Sequence, residues 1–253
     1  MTVHRPTAVV YSLCAYGLFT AVSAYAIGFF ADLLTPTTLD GTSTQHVATA
    51  AAVDLLLVLA FSLQHSVMAR ASFKRVWTRV VPESSERSTY VLLASLLLGV
   101  LMWEWQPIGP TIYRLHGGAS AVLLLLQGFG WLVVVGSTYL VDHAELFGLT
   151  WARTAATASL DPPALVERGA YRYARHPLMT GFLTVFWAAP HLTVGHLLLA
   201  LLLTLYVLIG TALEERDLRA RFGAEYDDYA ARVPAFLPVG AVRRRSAARR
   251  VGA

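Results

Sequence analysis

Polar residues are scarce along this chain, and their placement divides it into apolar blocks of membrane length. Val9–Phe30, Val47–Met68, Ser88–Trp103, Ser120–Val141 and Val194–Leu213 are each close to the roughly 17–25 residues that a spanning helix needs. A sixth run, Leu178–Ala189, is too short to cross alone and ends in Pro190-His191. It reads as one arm of a helical hairpin, residues 178–213, with Val194–Leu213 as the other arm. The pattern therefore predicts an all-α fold: one polytopic integral membrane helical bundle of about five membrane elements, the last of them the hairpin. Four transmembrane helices lie within 1–141, a polar segment follows at 142–177, and a tail occupies 214–253. In that tail Leu218, Phe222, Tyr226, Tyr229 and Val233 fall on one face of an amphipathic helix, with Arg216, Arg219, Asp227 and Asp228 on the others. Such a helix either lies at the headgroup boundary or covers a pocket with its tyrosines, which offer both ring faces and hydroxyls. Between the fourth run and the hairpin, Asp161-Pro162-Pro163 stops helix formation.

Composition agrees with lipid as the solvent. Only 14% of residues are charged, against roughly 25% in a typical soluble domain. Counting the hairpin as two crossings puts all but Arg114 of the 20 Lys and Arg residues on one side. The positive-inside rule makes that side, and both termini, cytoplasmic, as in a bacterial inner membrane. The first run lacks a small-residue cleavage pattern and reads as an uncleaved membrane helix. The formal charge of +4 comes from residues bordering membrane segments, so nucleic acid is not an expected partner. Arg243-Arg244-Arg245 and Arg249-Arg250 suit anionic headgroups instead. The single Cys14 excludes an intrachain disulfide. Gly128, Gly130 and Gly136 lie mid-helix with no preceding strand, so they read as helix-packing positions and not as a nucleotide loop.

The topology brings polar groups from five distant segments to one membrane depth. These are Gln64 and His65, then Arg87 and Tyr90, then Asp142, His143 and Glu145, then Arg175 and His176, and finally Glu214 and Glu215. Histidine, glutamine and acids are not the usual interfacial anchors. Asp54 and His65 lie on one helix; eleven steps of about 100° bring them within about 20° of each other. Since a membrane Asp faces the bundle interior, His65 faces inward too. No metal is expected: there is no Cys pair, and His191 and His196 would diverge by about 140° on a helix.

The chemistry-bearing core is Gly169-Ala-Tyr171-Arg172-Tyr173-Ala-Arg175-His176-Pro177-Leu-Met179-Thr-Gly181, followed by Glu214-Glu215, Glu225-Tyr226, Tyr229, Val233-Pro234, Phe236 and Pro238. This two-part pattern, about 70 of the 253 residues, resembles the isoprenylcysteine carboxyl methyltransferase superfamily of membrane enzymes. Three upstream stretches resemble its bacterial methanethiol S-methyltransferase branch: Phe61-Ser-Leu-Gln64-His65, Glu86-Arg87-Ser-Thr-Tyr90 and Asp142-His143-Ala-Glu145-Leu-Phe147-Gly148. The resemblance implies an S-adenosylmethionine-dependent enzyme that methylates methanethiol or a similar small thiol, giving dimethyl sulfide at the cytoplasmic face. It implies cofactor binding by Tyr171, Arg175, His176, Pro177, Gly181, Glu214, Glu215, Tyr226 and Tyr229. Met179 stands where the family carries a Tyr, which puts a ring contact there in doubt. Pro177 also suits a first helical turn on its own account, and Gly181 a close approach by a ligand or a neighbouring helix.

Methyl transfer from a sulfonium is an in-line displacement, so the protein has to position donor and acceptor. Simple thiols are mostly protonated at neutral pH, and a neutral imidazole is a suitable base. His65 or His143 is the candidate base, with Gln64 as orienter and Arg87, Tyr90 and Glu145 as candidate substrate-binding residues. Two other readings remain: a superfamily methyltransferase acting on a prenylated or other lipid-soluble acceptor, and a non-catalytic transport or small-molecule-binding membrane protein. A transporter would place its charges at the midplane with paired broken helices, whereas here they gather at one face.

Overall fold

The computed structural model describes residues 5–41, 45–141, 143–149, 165 and 167–236. Asp142, Asp161-Pro162-Pro163, Pro238 and the tail arginines lie outside the described residues.

Among the described residues five helices are long and apolar enough to cross a membrane, and the chain is an integral membrane protein. They are α1 (Arg5–Ala31), α2 (Val47–Ala69), α4 (Glu83–Trp103), α5 (Gly117–Val141) and α8 (Val194–Phe222), joined in part by α3 (Ala71–Trp77) and the single turn α6 (His143–Leu146). Helices satisfy every backbone donor and acceptor internally, which hydrocarbon requires. α1 and α4 run in the same direction, and their contacts define two ends. At the near end Tyr11 of α1 donates to Thr89 of α4 at 2.9 Å. At the far end Thr37, just after α1, donates to the Met102 carbonyl at 2.8 Å. Asp54 is fully buried and accepts from the Gln106 N–H at 2.9 Å, so this face of α2 does turn inward.

The 178–213 segment crosses in an unexpected way. α7 (Pro177–Trp187) has 11 residues, a rise of about 16 Å, roughly half a bilayer core. The chain then continues in extended form through β2 (His191–Thr193), which pairs antiparallel with β1 (Thr111–Arg114). Ala188, Ala189 and Leu192 are buried there, and buried backbone needs partners. Hydrogen bonds from Leu115 N–H to the Pro190 carbonyl (2.8 Å) and from Val194 N–H to the Pro110 carbonyl (3.1 Å) flank the pair. The first arm is thus a helix completed by a strand, a small two-stranded addition to an otherwise helical fold.

α7 leans on α5 through two glycines. A Cβ on Gly181 would sit 2.8 Å from the Gly130 carbonyl oxygen, and one on Gly130 would sit 3.0 Å from the Gly181 oxygen. Small residues at such a crossing let two backbones meet, as is common between membrane helices.

The tail differs from the single amphipathic helix expected. α8 runs on to Phe222, breaks at Gly223 (φ 55°, ψ −128°), and a separate helix α9 (Ala224–Arg232) follows. Only glycine adopts that backbone conformation without strain. The predicted apolar stripe still converges: Tyr226, Tyr229 and Val233 are buried together against Leu218 and Phe222.

Candidate functional site

The near end holds three linked groups of polar side chains. The first is centred on Glu215, at the part of α8 that leaves the apolar run. Arg175 donates to Glu215 Oε1 through both Nε (2.9 Å) and Nη2, and His176 Nε2 lies 3.2 Å from the same oxygen. Arg219, one turn later, reaches Glu215 Oε2 at 3.3 Å. Arg175 also donates through Nη1 to the Ala230 carbonyl (3.1 Å) and to that of Val233. The backbone N–H groups of Arg175 and His176 donate to the Pro234 and Ala235 carbonyls, both at 2.9 Å. A guanidinium that donates twice to one carboxylate oxygen makes a strong, charge-assisted contact. Here it clamps the start of α7, the end of α8 and the segment after α9 into one unit. Pro177 occupies the first turn of α7, as its missing N–H allows.

Around this clamp lie the other predicted residues. His176 stands between two acids, with Nδ1 3.6 Å from Glu214 Oε2; the Glu214 side chain is 54% exposed and that of Glu215 only 12%. Glu214 therefore presents its carboxylate outward, whereas the Glu215 carboxylate is already spent on Arg175, His176 and Arg219. Burial and the Glu214 charge push the Tyr171 phenol up to about 12, so it remains a donor at neutral pH. Tyr229 donates to the Tyr171 carbonyl at 2.7 Å, and burial holds its phenol above the ordinary tyrosine value. Tyr226 is buried, and burial and the Glu215 charge raise its phenol as well. Gly181 is a correction: its open side faces α5 and not the polar groups, so its lack of a side chain serves helix packing.

The second group is built on α2, α4 and α8. The Tyr90 hydroxyl lies 2.9 Å from His65 Nε2 and 3.2 Å from Nδ1. One hydroxyl faces both nitrogens, so its single proton can engage only one of them. Phe61 and Tyr206 pack against the His65 ring with centroids 5.4 and 6.3 Å away, and Ser66 donates to the Tyr206 hydroxyl at 3.4 Å. Arg87 lies over the Tyr90 ring at 5.1 Å and donates to the Leu146 carbonyl at 2.7 Å, which fixes α4 to α6. Gln64 donates to the Met68 sulfur at 3.1 Å, and its Oε1 is buried with no hydrogen-bond partner.

The third group surrounds His143. Tyr16 of α1 lies 2.9 Å from Nε2, Thr138 lies 2.8 Å from Nδ1, and Tyr139 stacks on the ring at 4.2 Å. The Thr138 hydroxyl gives its proton to the Val135 carbonyl, so it accepts from Nδ1–H and leaves Nε2 to accept from Tyr16. Both ring nitrogens of His143 are occupied by protein groups. The two histidines expected to be interchangeable candidates are therefore not equivalent. Glu145 is exposed on α6.

An apolar floor joins the clamp to His65. Phe61, Met179 and Phe236 pack against the same buried cluster, which contains Val58, Val185 and Val207, and the Phe236 ring lies 6.1 Å from that of His176. Tyr90 and Phe147 share a further cluster, with Tyr16 packed against it, and this connects the His143 group.

No protein-family model matches the chain, and no solved structure does. Over 96% of its length the chain is 43% identical to methanethiol S-methyltransferase 2 of Bradyrhizobium diazoefficiens, covering 94% of that protein. Over 92% of its length it is 42% identical to the methanethiol S-methyltransferase of Mycobacterium tuberculosis, covering 97% of that protein. The chain belongs to the methanethiol S-methyltransferase family. A shorter similarity, 37% over 66% of the chain and 67% of the relative, extends to mouse Nurim.

For a member of this family, the sequence motifs locate the clamp and the Tyr90–His65 pair but miss Tyr16 and Tyr206. Both sit inside apolar runs, where a tyrosine is unremarkable. Periodicity does not recover Tyr206 either: nine steps of about 100° set it about 180° around α8 from Glu215.

Proposed function

We propose that this chain is an S-adenosylmethionine-dependent methyltransferase that converts methanethiol, or a similar small thiol, to dimethyl sulfide at the cytoplasmic face of a bacterial inner membrane. The observation that carries the reading is the juxtaposition of the Arg175–His176–Glu215 clamp with the Tyr90–His65 pair across an apolar floor, in a chain whose relatives bear the methanethiol S-methyltransferase name.

The near end offers groups suited to the cofactor. Glu214 presents a half-exposed carboxylate to ribose hydroxyls or an ammonium group, Tyr171 is a donor beside it, and Phe236 offers a ring next to His176. The Thr211 hydroxyl, one turn before Glu215, is buried without a hydrogen-bond partner, and such groups are costly unless a ligand or water satisfies them. S-adenosylmethionine supplies an electrophilic methyl group on a cationic sulfur. Glu215 acts indirectly, by holding Arg175 and His176 in place.

On the acceptor side, His65 takes the thiol proton through its unengaged nitrogen while Tyr90 holds the ring. His143 has no free nitrogen and braces α1 against α5. Phe61, Met179 and Phe236 exclude water around the sulfur and favour a small apolar thiol. The basic residues flanking the near end support its cytoplasmic placement, with both termini on that side. The test is incubation of the purified protein with S-adenosylmethionine and a panel of thiols, with headspace analysis for methyl sulfides. Turnover of methanethiol above bulkier thiols is expected; turnover only of a prenylated thiol or a carboxylate would replace this reading.

A further inference from the structure

At the far end, remote from the methyl-transfer groups, three loops and strands converge on a second polar site. We propose that Asp32, Asp40 and His191 bind a divalent transition-metal cation, of which Zn²⁺ is the representative probe. One ligand atom from each of the three lies within 4.8 Å of the others, and Asp32 Oδ2 is 3.8 Å from His191 Nδ1. That gap is too long for a hydrogen bond. It is close to the spacing of two ligands on one ion with bonds of about 2.0–2.2 Å.

The surroundings orient each group for this task. His191 Nε2 lies 3.0 Å from the Thr111 hydroxyl; donating its proton there leaves the Nδ1 lone pair facing the Asp32 carboxylate. That lone pair is met by the Arg114 guanidinium, 3.2 Å away, a positive charge in the place a metal cation would take. Asp40 is held by Thr193, which donates to Oδ1 through N–H (3.0 Å) and Oγ1 (2.6 Å), and by the fully buried His196, whose Nδ1 is 2.8 Å from Oδ2. His196 is itself fixed by the Phe186 carbonyl, 2.9 Å from Nε2. Such outer partners orient metal ligands and tune their basicity, and a carboxylate oxygen bearing one hydrogen bond keeps lone-pair capacity. The Asp40 N–H donates to Asp32 Oδ1 at 3.1 Å, and a cation would offset the repulsion between the two neighbouring carboxylates. A cavity of ≈ 410 Å³ opens onto Asp40 and His191 and provides an entry path and room for a further, non-protein ligand.

Arg114 supplies the competing positive charge. Its Nη2 is 3.2 Å from both His191 nitrogens, and the residue is exposed, so a bound cation displaces it toward solvent. Sequence reading placed His191 and His196 on one helix and expected no metal. In the structure His191 lies on β2 and His196 on α8, and the two approach different aspartates.

The experiment is calorimetric titration of tag-free, chelator-treated protein in detergent with Zn²⁺, compared with Asp32→Asn, His191→Gln and Arg114→Ala. Asn tolerates the left-handed backbone that Asp32 holds (φ 52°), so that variant tests the carboxylate and not the turn. The expected result is about one Zn²⁺ per chain, at least about tenfold weaker in the Asp32 and His191 variants and tighter in Arg114→Ala. Absence of Zn²⁺ binding by the wild type, or binding unaltered in both ligand variants, overturns the proposal. Arg114→Ala changes an exposed residue and keeps the test decisive should the ligand variants fail to fold, since unchanged affinity in it also overturns the proposal.

Discussion

Replacing Glu215 by Gln keeps the shape of the near-end clamp and removes its charge. Oε1 accepts from Arg175 Nε, Arg175 Nη2 and His176 Nε2, and the side chain is 12% exposed. Hydrogen bonds to a charged group contribute about 1.5–3 kcal/mol, against about 0.5–1.5 for neutral ones. Neutralising the acceptor of three such bonds therefore costs on the order of 3 kcal/mol if they add. They share one oxygen and are partly screened, so about 2 kcal/mol is the expected loss, close to a 30-fold change in an equilibrium constant. Because the clamp holds Pro234 and Ala235 against the start of α7, this loss falls on docking of the chain after α9 and on cofactor binding. Calorimetry should show S-adenosylmethionine bound about 30-fold more weakly, with faster protease cleavage near residue 234 and normal membrane insertion. Glu215→Ala should be worse, because breaking a buried pair leaves Arg175 uncompensated. Unchanged cofactor affinity and unchanged protease protection in Glu215→Gln would refute the reasoning.

Four further outcomes follow from the same structure. His176→Ala should weaken S-adenosylmethionine binding while the protein inserts and purifies normally, and unchanged affinity in a calorimetric titration would remove it from the site. His65→Ala should lower turnover at pH 7 by about 10²–10⁴-fold with little change in cofactor affinity, the loss shrinking as the pH nears the thiol's own pKa; His143→Ala should chiefly lower the melting temperature, and the reverse pattern would exchange their roles. Gly181→Ala drives a Cβ to within 2.8 Å of the Gly130 oxygen and Val134 Cγ2, so it should destabilise by about 1–3 kcal/mol; an unshifted thermal melt would contradict this packing. Reporter fusions after Pro190 and after Ala253 should report opposite sides of the membrane, and matching sides would exclude the hairpin.

The bundle was legible because membrane helices announce themselves through composition and length, and because a single buried acid orients a face. Asp54 turned α2 inward and carried His65 with it. The clamp was legible as motifs but not as a clamp. Nothing in the spacing of Arg175 and Glu215 shows that one oxygen serves Arg175 and His176 together, so Glu215 read as a ligand contact. Gly181 signalled a close approach without saying of what, and the answer is the backbone of α5. The break at Gly223 stayed hidden because the apolar stripe keeps helical spacing on both sides of it. β1 and β2 have four and three residues, too few for an alternating pattern to register. Asp32, Asp40 and His191 meet only because the loop after α1 folds against β2 at the far end, which depends on tertiary packing and not on local periodicity.

The near-end site is proposed to move a methyl group from S-adenosylmethionine to the sulfur of a small thiol. The most direct measurement uses S-adenosylmethionine carrying a deuterated methyl group, unlabelled methanethiol and the purified protein, with mass analysis of the headspace. The expected product is dimethyl sulfide about three mass units heavier than the unlabelled compound, formed in step with S-adenosylhomocysteine and reduced at neutral pH in His65→Ala. Absence of labelled dimethyl sulfide from protein that binds S-adenosylmethionine normally would contradict this proposal.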